Sequence, residues 1–125
     1  MAAEILIVDD HQDFLLFLGR ALIMLGWRVT SSSNGRDALE KLKYIRPSLI
    51  LMDMRMPEID GFELTRMVKN NSTYRAISIL AVTGLDTPES RKLCLEAGCD
   101  DFIAKPFRVP ELQNRMMRLL HKGQS

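Results

Sequence analysis

Leu49-Ile50-Leu51-Met52-Asp53-Met54-Arg55-Met56-Pro57 decides how this chain is read. Its first four residues form an apolar run of strand length, and Pro57 puts a loop behind them, so the stretch reads as a buried strand followed by a turn. Asp53 is then delivered to the carboxyl edge of a sheet, where open α/β proteins hold their ligands. Working outward, Ile5-Leu6-Ile7-Val8 runs into Asp9-Asp10, Ile77 to Val82 runs into Thr83, and Phe102-Ile103-Ala104 leads to Lys105-Pro106. Three carboxylates, a hydroxyl and an amine therefore fall at strand ends. If these strands are parallel neighbours, the groups meet in one cleft.

Helix-like segments alternate with these runs. The first is expected over about 12–25, with Phe14, Phe17, Leu18, Ala21, Leu22 and Leu25 as its buried stripe. Gly26 stops it. A short strand over 28–31 has only Val29 as an apolar residue. Asn34-Gly35 opens a helix reaching about Ile45, Asp60 opens one through about Lys69, Thr87-Pro88-Glu89 opens one ending near Gly98, and Pro110-Glu111 opens one ending near His121. Alternating β and α units predict a parallel sheet covered by helices on both faces, in one flavodoxin-like α/β domain. The 125 residues suffice for one core, expected over about 4–121, and the polar residues 122–125 read as a flexible tail.

Composition narrows the function. A formal net charge of +1 gives no electrostatic case for nucleic acid or an anionic membrane as partner. No apolar stretch reaches spanning length, and the first residues lack a signal-peptide pattern. Cys94 and Cys99 have no second pair to complete a metal site and read as reduced thiols. A cytoplasmic location is expected. His11 and His121 read as incidental.

The strand-end residues suit phosphoryl chemistry. Carboxylates crowded as Asp9, Asp10 and Asp53 would be must repel one another, which invites a divalent cation. All-oxygen ligands favour Mg²⁺, Mn²⁺ or Ca²⁺, and a site with few protein ligands suits Mg²⁺. Lys105 adds a positive charge for phosphate oxygens. A carboxylate beside both can attack phosphorus and become an acyl phosphate.

Val8-Asp9-Asp10, Asp53 to Pro57, Asp60-Gly61, Val82-Thr83-Gly84 and Gly98 to Phe107 resemble the receiver domain of two-component response regulators and hybrid histidine kinases. The resemblance covers essentially the whole chain. It implies a five-stranded sheet of order 2-1-3-4-5 and a phosphorylatable switch whose acceptor is Asp53. The donor would be a phosphohistidine on a sensor histidine kinase or a histidine phosphotransfer protein. Asp10, Asp53 and the backbone carbonyl of Arg55 would hold Mg²⁺, with Mn²⁺ as an alternative, and Asp9 would help through water. Lys105 would contact the phosphoryl group ahead of a cis Lys105–Pro106 bond. Thr83 would move toward the phosphoryl group and Phe102 would turn inward, reshaping the face made by the fourth helix, fifth strand and fifth helix. Such a domain catalyses only its own phosphorylation and dephosphorylation. A degenerate receiver serving as an interaction module is the alternative. A haloacid dehalogenase-type phosphatase is disfavoured because Arg55 stands where that family has a second Asp.

Two surfaces are candidates for partners. With the stripe above assigned to the core, Leu15, Leu16, Gly19, Ile23 and Met24 are left on the outer flank of the first helix, as a docking surface for the donor or for a homodimer. Asp100, Asp101, Arg91, Lys92, Arg115 and Arg118 resemble a mixed-charge dimer face but read first as solvated surface.

Overall fold

The computed structural model describes residues 3–122; most of the expected tail lies outside them. Five strands and five helices alternate as β1 (Glu4–Val8), α1 (Gln12–Met24), β2 (Arg28–Ser32), α2 (Gly35–Lys41), β3 (Leu49–Asp53), α3 (Gly61–Lys69), β4 (Ser78–Thr83), α4 (Pro88–Ala97), β5 (Asp101–Ala104) and α5 (Val109–Lys122). The strands form one parallel sheet in the order β2-β1-β3-β4-β5.

Strand residues alternate between two cores, which explains why the central strands are apolar throughout. Leu6, Val8, Ile50, Met52, Ile79 and Ala81 face one side and pack with Ala38, Leu42, Leu64, Val68 and Cys94 from the α2, α3 and α4 side. Ile5, Ile7, Leu49, Leu51, Leu80 and Val82 face the other, against Leu15, Leu18 and Leu22 of α1 and Leu112, Met116 and Leu119 of α5. β2 has little apolar content but is held in register beside β1, from Glu4↔Arg28 to Val8↔Ser32.

The stripe of α1 differs from the expected one. Leu15, Leu18, Gly19 and Leu22 are its buried residues, whereas Phe17 and Leu25 are exposed. This helix is apolar nearly all round, so periodicity alone sets no phase, and packing on β1 and β2 chooses the face. Leu15 and Gly19 are therefore core, not docking surface. A Cβ on Gly19 would meet only Val29 Cγ1 at 3.9 Å and Ser31 Oγ at 4.0 Å, both ordinary contacts within the domain. α2 ends at Lys41, short of Ile45, and the chain continues in turns in which Lys43 N–H donates to Glu40 O and Tyr44 N–H to Lys41 O.

The end of the sheet remote from the strand carboxyl ends is tied by Lys69. Its ammonium donates to the carbonyls of Arg75 and Ile77 and to Asp100 Oδ2. Asp100 Oδ2 also accepts from Ile79 N–H at 2.8 Å. The Lys69 methylenes lie under Gly98, which takes a positive φ of 112° and closes α4 with Cys99 N–H donating to Cys94 O.

Candidate phosphoryl-transfer site

The strand order reverses direction between β1 and β3, and the loops after these two strands carry the acids. Asp53 is the last residue of β3, and Asp9 and Asp10 directly follow β1. Asp9 and Asp53 are 1% and 6% exposed, values that for carboxylates demand compensation by partners. Asp9 has them. Its Oδ2 accepts from the Lys105 ammonium at 2.9 Å, and its Oδ1 accepts from His11 N–H at 2.8 Å. Lys105 reaches in from the loop after β5, and its Nζ also lies 4.2 Å from the centre of the Phe14 ring.

Asp53 is less well satisfied. Oδ1 accepts from Arg55 N–H at 3.2 Å, but the buried Oδ2 has no hydrogen-bond partner, and neither does Asp10 Oδ1, although His11 Nδ1 stands 3.3 Å from it. Burial, and then the charge of Asp9, push the Asp53 carboxyl up from 3.8 to about 6. One ligand atom from each of Asp9, Asp10, His11 and Asp53 lies within 4.8 Å of the others. Two orphaned oxygens among close carboxylates fit a divalent cation. Such an ion would neutralise the cluster and favour ionised Asp53.

Thr83 closes β4, one residue beyond the Asp53↔Val82 pair, so it stands at the same sheet edge. It is buried, and its Oγ1 accepts from Leu85 N–H at 3.2 Å. The Lys105–Pro106 bond is cis. Phe102 is half-buried beside a cavity lined also by Asp86, Arg91, Asp101 and Arg115. The Arg91 guanidinium lies 5.6 Å from its ring centre. The charges of this face pair within the chain: Arg91 with Asp86, Arg115 with Asp101 and Lys69 with Asp100.

Sequence reasoning set His11 aside. In the structure its Nδ1 lies 3.0 Å from Asp9 Oδ1, and the hydrogen bond to Asp9 and the charge of Asp10 push its imidazole above 6.5. The available signal was its place directly after two acids at a strand end. Of the expected docking residues, Leu16, Ile23 and Met24 are exposed. Phe17, expected inside, joins them, lining one shallow groove with Leu16, Arg20 and Met24 and another with Phe14, Lys105, Pro106 and Phe107.

This arrangement can be set beside known proteins. The chain is 37% identical over 122 residues to the response regulator MprA of Mycolicibacterium vanbaalenii, a match covering 98% of this chain and 52% of that protein. The chain thus spans about half the length of the curated relatives it matches. Among solved structures, the receiver domain of sensor histidine kinase PA1611 from Pseudomonas aeruginosa, which has a magnesium ion in its active-site cleft, superposes with a TM-score of 0.88 at 35% identity, covering 97% of this chain and 99% of that one. The signal receiver domain of a histidine kinase from Syntrophus aciditrophicus gives 0.89 at 38% identity, covering 97% and 92%. A sequence model of the response regulator receiver domain matches residues 5–117, the stretch that holds every strand-end group of the cleft, and the chain belongs to that family.

Proposed function

We propose that this receiver domain is a phosphorylatable switch in which Asp53 takes a phosphoryl group from a phosphohistidine on a histidine kinase or phosphotransfer protein. The observation that carries this reading is the buried Asp53 carboxylate, with one oxygen unpartnered, in the cluster with Asp9, which Lys105 holds, and Asp10. In the transfer an Asp53 oxygen bonds to phosphorus while the phosphorus–nitrogen bond of the donor breaks, and the imidazole leaves with the electron pair. Asp10, Asp53 and the Arg55 carbonyl would hold Mg²⁺, with Asp9 acting through water. The ion supplies positive charge to the transferring oxygens. Lys105, drawn from Asp9, supplies a second cation on a flexible arm. Thr83 then donates its hydroxyl to the phosphoryl group, and Phe102 turns into the space beside it. That motion biases the α4-β5-α5 face between two arrangements.

Intact mass after incubation with acetyl phosphate tests the reading. A Mg²⁺-dependent phosphoryl increment is expected, labile to hydroxylamine and absent from Asp53→Asn. No increment from acetyl phosphate or from a phosphohistidine protein donor, in protein shown by circular dichroism to be folded, would leave an interaction module instead.

The donor is proposed to dock on the exposed flank of α1, where Leu16, Phe17, Ile23 and Met24 run toward the Lys105-Pro106-Phe107 loop. Leu16→Glu with Ile23→Glu should slow transfer from a protein donor roughly tenfold or more, the cost of losing one good apolar contact region. Phosphorylation by acetyl phosphate should be unchanged. Equal rates from the protein donor would place docking elsewhere. No helix among the described residues is long and apolar enough to cross a membrane.

A further inference from the structure

α1 begins without the usual cap. Its N-cap position holds His11, whose side chain makes no capping hydrogen bond, although Ser, Thr, Asp and Asn are the residues that stabilise such ends. The ring turns back onto the carboxylates before it. Nδ1 lies 3.0 Å from Asp9 Oδ1 and 3.3 Å from Asp10 Oδ1. The His11 backbone N–H holds the same Asp9 oxygen, which fixes the loop beneath the ring. The side chain is 68% exposed, so the ring can rotate without disturbing the core. It is one of four residues whose ligand atoms lie within 4.8 Å of one another. Asp53 Oδ2, unpartnered on a carboxylate more than nine-tenths buried, independently directs the cluster toward a cation.

Oxygen ligands alone suit hard cations such as Mg²⁺. An imidazole nitrogen changes the preference, because affinity of nitrogen-containing sites rises through the first-row divalent ions toward nickel and copper, with zinc also well bound. We propose that His11 adds a nitrogen ligand to the Asp9-Asp10-Asp53 cluster, making it a mixed site that binds late first-row divalent ions such as Co²⁺, Ni²⁺ or Zn²⁺ more tightly than Mg²⁺. The inference rests on the proposed role of Asp10 and Asp53 as metal ligands. The ring binds in its neutral form, through one nitrogen lone pair. A late metal so held occupies the carboxylates that phosphoryl transfer needs and competes with Mg²⁺ for them.

Calorimetric titration of the 125-residue chain with Co²⁺ and with Mg²⁺ tests this, using wild type, His11→Ala, Asp10→Asn and, as control for the other histidine, His121→Ala. His11→Ala should weaken Co²⁺ binding roughly tenfold or more, since even partners one shell further out cost about that much. Its Mg²⁺ affinity should stay within about twofold, because magnesium takes oxygen ligands. Asp10→Asn should weaken both metals, and His121→Ala neither. In wild type the His11 ring protons should shift strongly by NMR on Co²⁺ addition. Equal Co²⁺ affinity in wild type and His11→Ala, with Asp10→Asn still impaired, would overturn the role of His11 and leave the metal site standing. Asp10→Asn binding both metals like wild type would overturn both readings.

Discussion

Replacing Asp53, the proposed phosphoacceptor, by asparagine is expected to stabilise the metal-free protein at neutral pH while abolishing phosphoryl acceptance. The folded protein holds the Asp53 proton up to a pH of about 6, against 3.8 for an ordinary aspartate. Between those values the folded state binds more protons than the unfolded state, so stability falls as pH rises. Below 3.8 Asp53 is neutral in both states and costs nothing. Above about 6 it is charged in both, and the full penalty for an ionised carboxylate among carboxylates is present. The neutral amide of Asp53→Asn carries no such penalty. With allowance for solvent at the mouth of the cleft, the gain should be about 2 kcal/mol at a pH of about 7.5. Urea unfolding in EDTA at that pH and at pH about 4 checks the prediction, since the advantage should largely vanish at the acid end. Saturating Mg²⁺ should narrow the gap from the other direction by stabilising wild type more than the variant. A variant no more stable than wild type at the higher pH would mean that Asp53 is not strained by its surroundings.

Among the described glycines, Gly61→Ala is expected to cost the most stability of any single added methyl. A Cβ there would lie 2.3 Å from the Asp53 carbonyl oxygen and 2.5 Å from Met54 Cα. Both are backbone atoms, so no side chain can move aside. Gly61 N–H donates to Met54 O at 3.2 Å, and Asp60 caps α3 by accepting from Glu63 N–H at 2.8 Å, so the helix start is fastened against the end of β3. Overpacking of this kind costs about 3 kcal/mol or more. That corresponds to a fall in melting temperature of roughly 10 °C. Any relief would move Asp53 itself, so phosphoryl acceptance should fall in whatever protein stays folded. A variant melting within about 2 °C of wild type would show that the loop yields at little cost.

The fold was legible wherever a segment had one dominant environment. β3 and β4 are apolar on both faces, and Asp60 and Thr87 cap the helices they precede, so local chemistry and tertiary structure agree. Legibility failed in α1, where Phe14 to Leu18 offer apolar residues in every direction and only the sheet selects Leu15 and Gly19 for burial. β2 was thinly marked because its order comes from pairing with β1. In the cleft, Asp9, Asp10, Asp53 and Lys105 were readable because each stands at the end of a strand, which sets its position through the backbone. His11 was not, since its approach to the acids depends on a side-chain torsion that no spacing encodes.

Lys69 has a mechanical consequence. It binds the last turn of α3, the start of β4 and the turn between α4 and β5 at a single ammonium. α4 is thereby pinned at its Gly98 end, while its Thr87 end follows the exposed 84–86 segment just beyond Thr83. At the Thr87 end the ties are the exposed Arg91–Asp86 ion pair and the Arg91 guanidinium over the Phe102 ring, contacts that side-chain motion can loosen. In the proposed switch, a displacement of Thr83 would reach the surface as a swing of α4, widest at the end nearest Asp53 and dying away toward the lysine.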